Sequence, residues 1–256
     1  MESEDDFKEF IINGDKKFVP HLSIDCVIFG FHNNLLKVLL LKWGKIDGWS
    51  LPGGHVLRGE NVEDSAYRIL KERTGLTEIY LQQFKTFGKP KRTGNALELL
   101  FKSSGVNTNI KSWLLDRFIS IGYYALVDFS KVMPTADWLS EKCAWHDINK
   151  IPPMLFDHNE IVEEALKSLK FAIYHQPLGY NLLPERFTLP QLQKMYETIL
   201  NKKLDRRNFQ KKILSLGILN RLEERMKIGP HRSPFVYSYN KEKYEAALKE
   251  GISFSF

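Results

Sequence analysis

Only two cysteines stand in the chain, Cys26 inside an apolar strand-like run and Cys143 beside Ala144 and Trp145. Without a Cys-x-x-Cys pair or a cluster at ligand spacing, neither a disulfide scaffold nor a structural zinc site is available, and both thiols are expected to be buried. No apolar run approaches the roughly 18 residues that a membrane helix requires. A basic leader is missing too: MESEDDFKEF is acidic where a signal peptide would be positive. There is no internal repeat and no low-complexity segment. These absences give the expectation of a cytoplasmic protein with no membrane association, no metal and no cofactor. What is present, 43% hydrophobic and 27% charged residues, excludes a disordered chain. With 256 residues there is room for two cores, since domains commonly run to about 100–200 residues.

Acidic residues are scarce at one end only. Residues 181–256 hold 15 Lys and Arg against 8 Asp and Glu, whereas residues 1–180 hold 22 against 23. The whole net charge of +6 therefore comes from the C-terminal part. Such a segment is either a solvated basic face or a nucleic-acid footprint.

Local patterns order the chain. Ser23 to Lys42 reads as two apolar, β-branched runs around the polar turn His32-Asn33-Asn34, a hairpin signal. Val62, Ala66 and Leu70 recur at helical spacing within Asn61–Thr74, which Gly75 stops. Tyr80–Lys85 and Ser120–Asp128 read as further strands. Between them, Gly88 to Asp116 is a long connection holding the apolar patch ALELLF, and connections of that length are functional flaps or mobile insertions. Asp157 followed by Glu160 has the form of a capping box, opening a helix whose apolar stripe is Ile161, Leu166, Leu169 and Ile173. A domain boundary is placed at Pro177–Asn181, giving domains 1–178 and 179–256. Beyond it come helices over Thr188–Asn201 and Asp205–Gly217 and strands over Asn220–Met226 and Phe235–Tyr239. Helix, short turn, helix and β-ribbon is the order of a winged helix-turn-helix.

One stretch, GGHVLRGENVEDSAYRILKERTGL, running from Gly53 to Leu76, carries a recognisable frame. Gly54, Glu60, Arg68, Leu70, Glu72, Gly75 and Leu76 fall where G-x5-E-x7-R-E-U-x-E-E-x-G-U requires them, with Trp49-Ser50-Leu51-Pro52 upstream. In this the chain resembles the Nudix family over about residues 20–170. The resemblance implies an α/β/α sandwich around a mixed sheet, and an ion pair between Glu60 and Arg68 that ties the box loop to its helix. Family chemistry requires a carboxylate cluster to hold a hard divalent ion against a pyrophosphate. Here Ile69, Glu72 and Arg73 stand where three glutamates are expected. Formal charge at those positions moves from −3 to zero, so no Nudix hydrolysis and no catalytic residue are expected. Ile69 is read as packing where a metal once sat. The alternative is an emptied cleft turned sensor pocket, with Lys42, Trp43, His55, Arg58, Glu72 and Phe156 as candidate ligand-binding residues, because aromatic faces and a few fixed polar groups suit a sugar or nucleotide.

In NKKLDRRNFQKKILSLGIL, six Lys and Arg fall within residues 201–212 against the single acid Asp205. Asp205 is placed to cap the helix. Phe209, Ile213 and Leu216 define a buried face, leaving Arg206, Arg207, Asn208, Gln210, Lys211 and Lys212 outward or on the flanks. Arginine reads guanine, asparagine and glutamine read adenine, and lysine neutralises phosphate. The proline-stiffened loop Lys227–Pro234 reads as a wing tip, with Arg232 directed to phosphate or the minor groove.

Together with PPMLFDHNEI and NLLPERFTLPQLQKMYETILNKK, these features are similar to those of the Nudix-related transcriptional regulators over nearly the whole chain. That likeness implies an α+β architecture, a Nudix-type sandwich followed by a winged helix-turn-helix. It also implies a homodimeric repressor of a palindromic double-stranded operator, with a small-molecule effector in the decayed Nudix domain. One branch of the family senses ADP-ribose and another L-arabinose. The chain resembles the arabinose-responsive branch, and its long 88–116 connection departs from the shorter loop of the other. A divergent Nudix pyrophosphohydrolase, with metal held by Glu60, Glu63 and Glu72 and a basic tail docking nucleic acid, is the competing expectation.

Overall fold

The computed structural model describes residues 4–76, 79–105, 112–129, 132, 135, 139–226 and 233–251. Contacts divide the chain into two compact units. One comprises residues 1–29, 37–125 and 131–165; the other gathers residues 166–256 with residues 30–36 and 126–130. The division falls inside a helix, ahead of the Pro177–Asn181 boundary expected from composition, because the buried Leu169, Ile173 and Leu178 belong with the second unit.

The first unit opens with helix α1 (Glu4–Lys17), which the acidic start did not announce. Strands β1 (Phe18–His32) and β2 (Leu35–Trp43) form the expected hairpin. Its two-residue turn is made by Asn33 and Asn34 at φ 49° and 61°, the left-handed pair that matches strand twist and that asparagine tolerates. After β3 (Trp49–Ser50) and β4 (Gly53–Leu57) comes α2 (Val62–Thr74), closed by Gly75 at φ 73° with its N–H on the Lys71 carbonyl. Strands β5 (Tyr80–Phe87), β6 (Ile119–Val127) and β7 (Ser140–Asp147) complete a seven-stranded sheet. Its order is β3-β2-β1-β6-β5, with β4 on β1 and β7 on β2. Val27, Ile28, Leu39, Leu40, Ala66 and Leu70 are fully buried, and α2 packs on β4.

The described part of the 88–116 connection is a packed element, not a flap. It forms α3 (Ala96–Ser103) and a 3-10 turn at Trp113–Leu115. Leu100, Phe101, Trp113 and Leu114 bury themselves with Phe7 and Ile11 of α1 in a second small core. The ALELLF patch thus has a helical partner that no local signal names. Residues 106–111 lie outside the described residues.

Asp157 precedes α4 (His158–Ala172) as the capping pattern requires. Its carboxylate, however, takes the Arg92 guanidinium at 2.7 and 3.0 Å, a bidentate charged partner that outcompetes a first-turn amide.

The second unit contains β8 (Phe187–Thr188), α5 (Leu189–Leu200), α6 (Arg206–Ser215), β9 (Leu219–Arg225), β10 (Phe235–Tyr239) and α7 (Lys241–Glu250). Its three-stranded sheet runs β8-β10-β9. Thr188 caps α5 through a reciprocal box with Gln191, satisfying two orphan amides. Phe209 of α6 is fully buried and meets the Tyr196 ring of α5 edge-on at 5.3 Å. Among the described residues no helix is long and apolar enough to cross a membrane. Cys26 is buried as expected, whereas Cys143 is only partly so.

Candidate functional site

The box loop is held from below by one ion pair. Arg68 donates to Glu60 at 2.8 and 3.0 Å and to the His55 carbonyl at 2.9 Å, and Ser65 adds a bond to Glu60 at 2.5 Å. The hydrogen bonds from Arg68 draw the Glu60 carboxyl below its usual range. Glu60 is therefore occupied as a structural strut, the role expected of it.

A divalent ion does not fit what remains. Ile69 is 1% exposed, and its Cδ1 would lie 2.9 Å from a Cβ built on Gly54. Glu72 reaches Arg68 at 3.5 Å, Arg73 adds a cation, and Glu63 points to solvent on α2. A hard cation needs several oxygen ligands, and among the described residues no three His, Cys, Asp or Glu side chains gather to hold one.

Above the box lies a cavity of about 810 Å³, walled by α1, β4, α2, the 3-10 turn and the start of α4. Of the candidate ligand-binding residues, Trp43, His55, Glu72 and Phe156 line it. Lys42 and Arg58 do not. Strand neighbours point to opposite faces, so Trp43 at the cavity excludes Lys42, which pairs with Asp47 and lies 5.7 Å from the Trp49 ring. Arg58 donates to the Asp15 carbonyl at 2.9 and 3.1 Å, where a cation complements a helix C-terminus.

The cavity has an aromatic end and a charged floor. At the aromatic end, His55 is surrounded by Trp113 at 4.9 Å, Phe10 and Phe118 at 5.5 Å, and Phe18 at 5.7 Å between ring centres. Trp113 is fixed by its Nε1–H to the Phe10 carbonyl at 2.9 Å. Burial pushes the His55 imidazole down to about 4, against a backbone hydrogen bond with Leu22 that raises it. Among the described residues nothing bonds its Nδ1.

On the floor, Arg92 bridges Asp25 at 2.9 Å and Asp157 at 2.7 Å, and Ser120 donates to Asp25 at 2.6 Å. His158 accepts the Leu51 N–H on Nδ1 at 2.9 Å, which leaves its Nε2 as the donor facing Asp25 at 3.4 Å. Burial alone would raise the Asp25 carboxyl; His158, Arg92 and Ser120 overcome it and hold the group well below the usual carboxylate range. Asp6, Glu9, Asp25 and Glu72 balance Lys17, Arg68, Arg73 and Arg92, so the lining carries no formal net charge.

Sequence reasoning missed the lining residues Phe10, Asp25, Arg92, Phe118 and His158. They come from five separate segments, and only the fold brings them together.

In the second unit, Asp205 caps α6 by accepting the Asn208 amide at 2.8 Å. The helix buries Phe209 and Ile213. Arg206, Arg207, Asn208 and Lys211 are exposed, Gln210 and Lys212 are half-buried, and Leu216 at the helix end is only partly covered. Arg232 and the rest of residues 227–232 lie outside the described residues.

A family model described as the NUDIX domain matches residues 19–166. The chain belongs to that family. A second model, the NrtR DNA-binding winged helix domain, matches residues 179–239, so this is a Nudix α/β fold followed by a winged helix. Among similar proteins is the ADPR responsive transcriptional repressor NtrR of Acinetobacter baylyi, 25% identical over 88% of this chain and 84% of the relative. The ADP-ribose pyrophosphatase of Methanocaldococcus jannaschii is 24% identical over 59% of this chain and 79% of its own. Shewanella oneidensis NrtR, solved with a 27mer DNA, shares the fold at a TM-score of 0.71 and 23% identity, covering 88% of this chain and 95% of that one. The Nudix unit is thus similar to that of a repressor and to a hydrolase, and none of these three is named for arabinose.

Proposed function

We propose that this chain is a DNA-binding transcriptional repressor whose Nudix unit binds a small effector without cleaving it. The observation that carries the reading is α6, an Asp205-capped helix presenting Arg206, Arg207, Asn208 and Lys211 to solvent from a winged-helix scaffold. Recognition helices approach base edges with their N-terminal residues, and those are the exposed ones here. The target is a palindromic duplex and the binding form a homodimer, whose twofold axis matches the two half-sites.

The effector occupies the α1-covered cavity. ADP-ribose, the compound for which the Acinetobacter relative is named, is the first to titrate. A second reading, L-arabinose, draws only on the cavity: its lining has no net charge, and the aromatic end offers ring faces. Both features suit an uncharged hydroxylated ring, while a diphosphate gains most where cations are unspent. Hydrolysis is absent from the proposal because Ile69, Arg73 and the Arg68-bound carboxylates leave no place for the metal. Operator affinity measured with each compound tests the sensor. Release of AMP from ADP-ribose with Mg²⁺ at an enzymatic rate would return the hydrolase reading.

A further inference from the structure

The sequence points to Arg232 as the wing's DNA contact; the described strands of the wing offer a different pair of cations. Arg221 and Arg225 of β9 are both exposed. In the ladder, Arg225 lies opposite Phe235 and Arg221 opposite Tyr237, so four residues of β9 advance against two of β10. This irregularity draws both side chains to one ring. Their guanidinium carbons stand 4.6 Å (Arg221) and 3.8 Å (Arg225) from the Phe235 centroid. Arg225 is fixed further, donating from Nη1 to the Ser233 carbonyl at 3.0 Å. Of the two acids on the strand, Glu224 is turned to Arg186 at 3.0 Å, and Glu223 is exposed.

We propose that Arg221 and Arg225, stacked on Phe235, form a phosphate clamp that grips the sugar-phosphate backbone of duplex DNA independently of α6. The inference rests on the DNA-binding reading and adds to it a second contact of a different kind. A guanidinium engaged through its face keeps its edge donors for an anion. The stack and the Ser233 bond also remove rotamer freedom before DNA arrives, so less is lost on binding. Two cations converging on one ring form a local positive centre that gains from a phosphate and reads no base. Its loss therefore weakens all sequences alike.

The test uses the full chain and fluorescence anisotropy on two labelled duplexes, a fragment containing its operator and a scrambled one of equal length. Salt is varied over about 50–200 mM, and thermal melting confirms that each variant is folded. Arg221→Ala and Arg225→Ala should each lower the slope of log K against log salt by about 1, and by the same amount on both duplexes. Arg225→Lys should keep the slope, because the charge remains, yet bind more weakly than the wild type. Phe235→Leu, which retains both cations, should weaken binding about tenfold. A wild-type chain that binds while the alanine variants keep its slope and affinity overturns the clamp alone. A loss confined to the operator duplex also overturns it, by making these residues base readers. A wild-type chain that binds neither duplex overturns the DNA reading itself.

Discussion

Ile69 packs against Gly54, its Cδ1 standing 2.9 Å from where a Cβ on that glycine would lie. The contact places a fully buried hydrocarbon at a position where the family's box has a metal-binding glutamate. It closes the box loop onto α2 by apolar packing while the Glu60–Arg68 pair holds the same loop from the other side. Apolar packing and one ion pair thus hold the frame from two sides, beneath the cavity.

Putting the carboxylate back should be costly. Ile69→Glu buries an unpaired charge and should destabilise the chain by about 3 kcal/mol at neutral pH, read as a lower midpoint in urea. An unchanged midpoint would mean that the position is open to water.

The charged floor gives a second expectation. Arg92→Leu leaves Asp25 and Asp157 buried without their shared cation, a loss of about 3–5 kcal/mol. Asp25 is held below its unfolded value, so its contribution is complete above about pH 4 and drains away as the pH falls below that. The stability gap between wild type and Arg92→Leu should accordingly narrow on acidification. A gap constant from pH 7 to 3 would contradict the ion-pair account.

Burial makes His55 take up its proton at lower pH than an ordinary surface histidine. The unfolded imidazole takes a proton near 6.5 and the buried one near 4. Its contribution is thus complete above pH 6.5 and is lost as the pH falls from there to about 4, at up to about 1.4 kcal/mol per pH unit. His55→Phe should flatten stability over that window and weaken effector binding. A variant with the wild-type slope and affinity would remove His55 from the ligand end.

How much of this was visible in the sequence follows the range of each signal. The Asn33-Asn34 turn, the Gly75 stop, the Asp205 cap and the order of α5, α6, β9 and β10 depend on neighbours a few residues apart, and all were legible. Helix α1 was not, because among its described residues the buried apolar side chains are just Phe7 and Ile11, and their partner lies a hundred residues on at Trp113. Helix α7 escaped for a similar reason: its buried anchor, Tyr244, stacks on Tyr180 at 5.1 Å. In the cavity, strand alternation separates Lys42 from Trp43, and Trp43 is the one among the lining residues. Asp25, Arg92 and His158 carry no local pattern that marks them as one cluster.

On α6, replacing Arg207 or Lys211 by alanine should weaken duplex binding and reduce the salt slope by about 1 for each phosphate no longer neutralised. Asp205→Ala should cost about 1 kcal/mol of stability through removal of the cap. Unaltered affinity in both Arg207→Ala and Lys211→Ala would exclude this face as the DNA-binding surface.

The central claim joins the two units in one switch, and operator binding measured with and without effector tests it most directly. Purified full-length chain is titrated onto a labelled duplex from its own gene's neighbourhood at fixed salt, alone and with ADP-ribose or L-arabinose. The account predicts a specific complex whose affinity one of the two compounds changes, with no cleavage of that compound. Specific binding that neither compound alters would contradict the sensor, and cleavage of ADP-ribose with Mg²⁺ without specific DNA binding would contradict the repressor altogether.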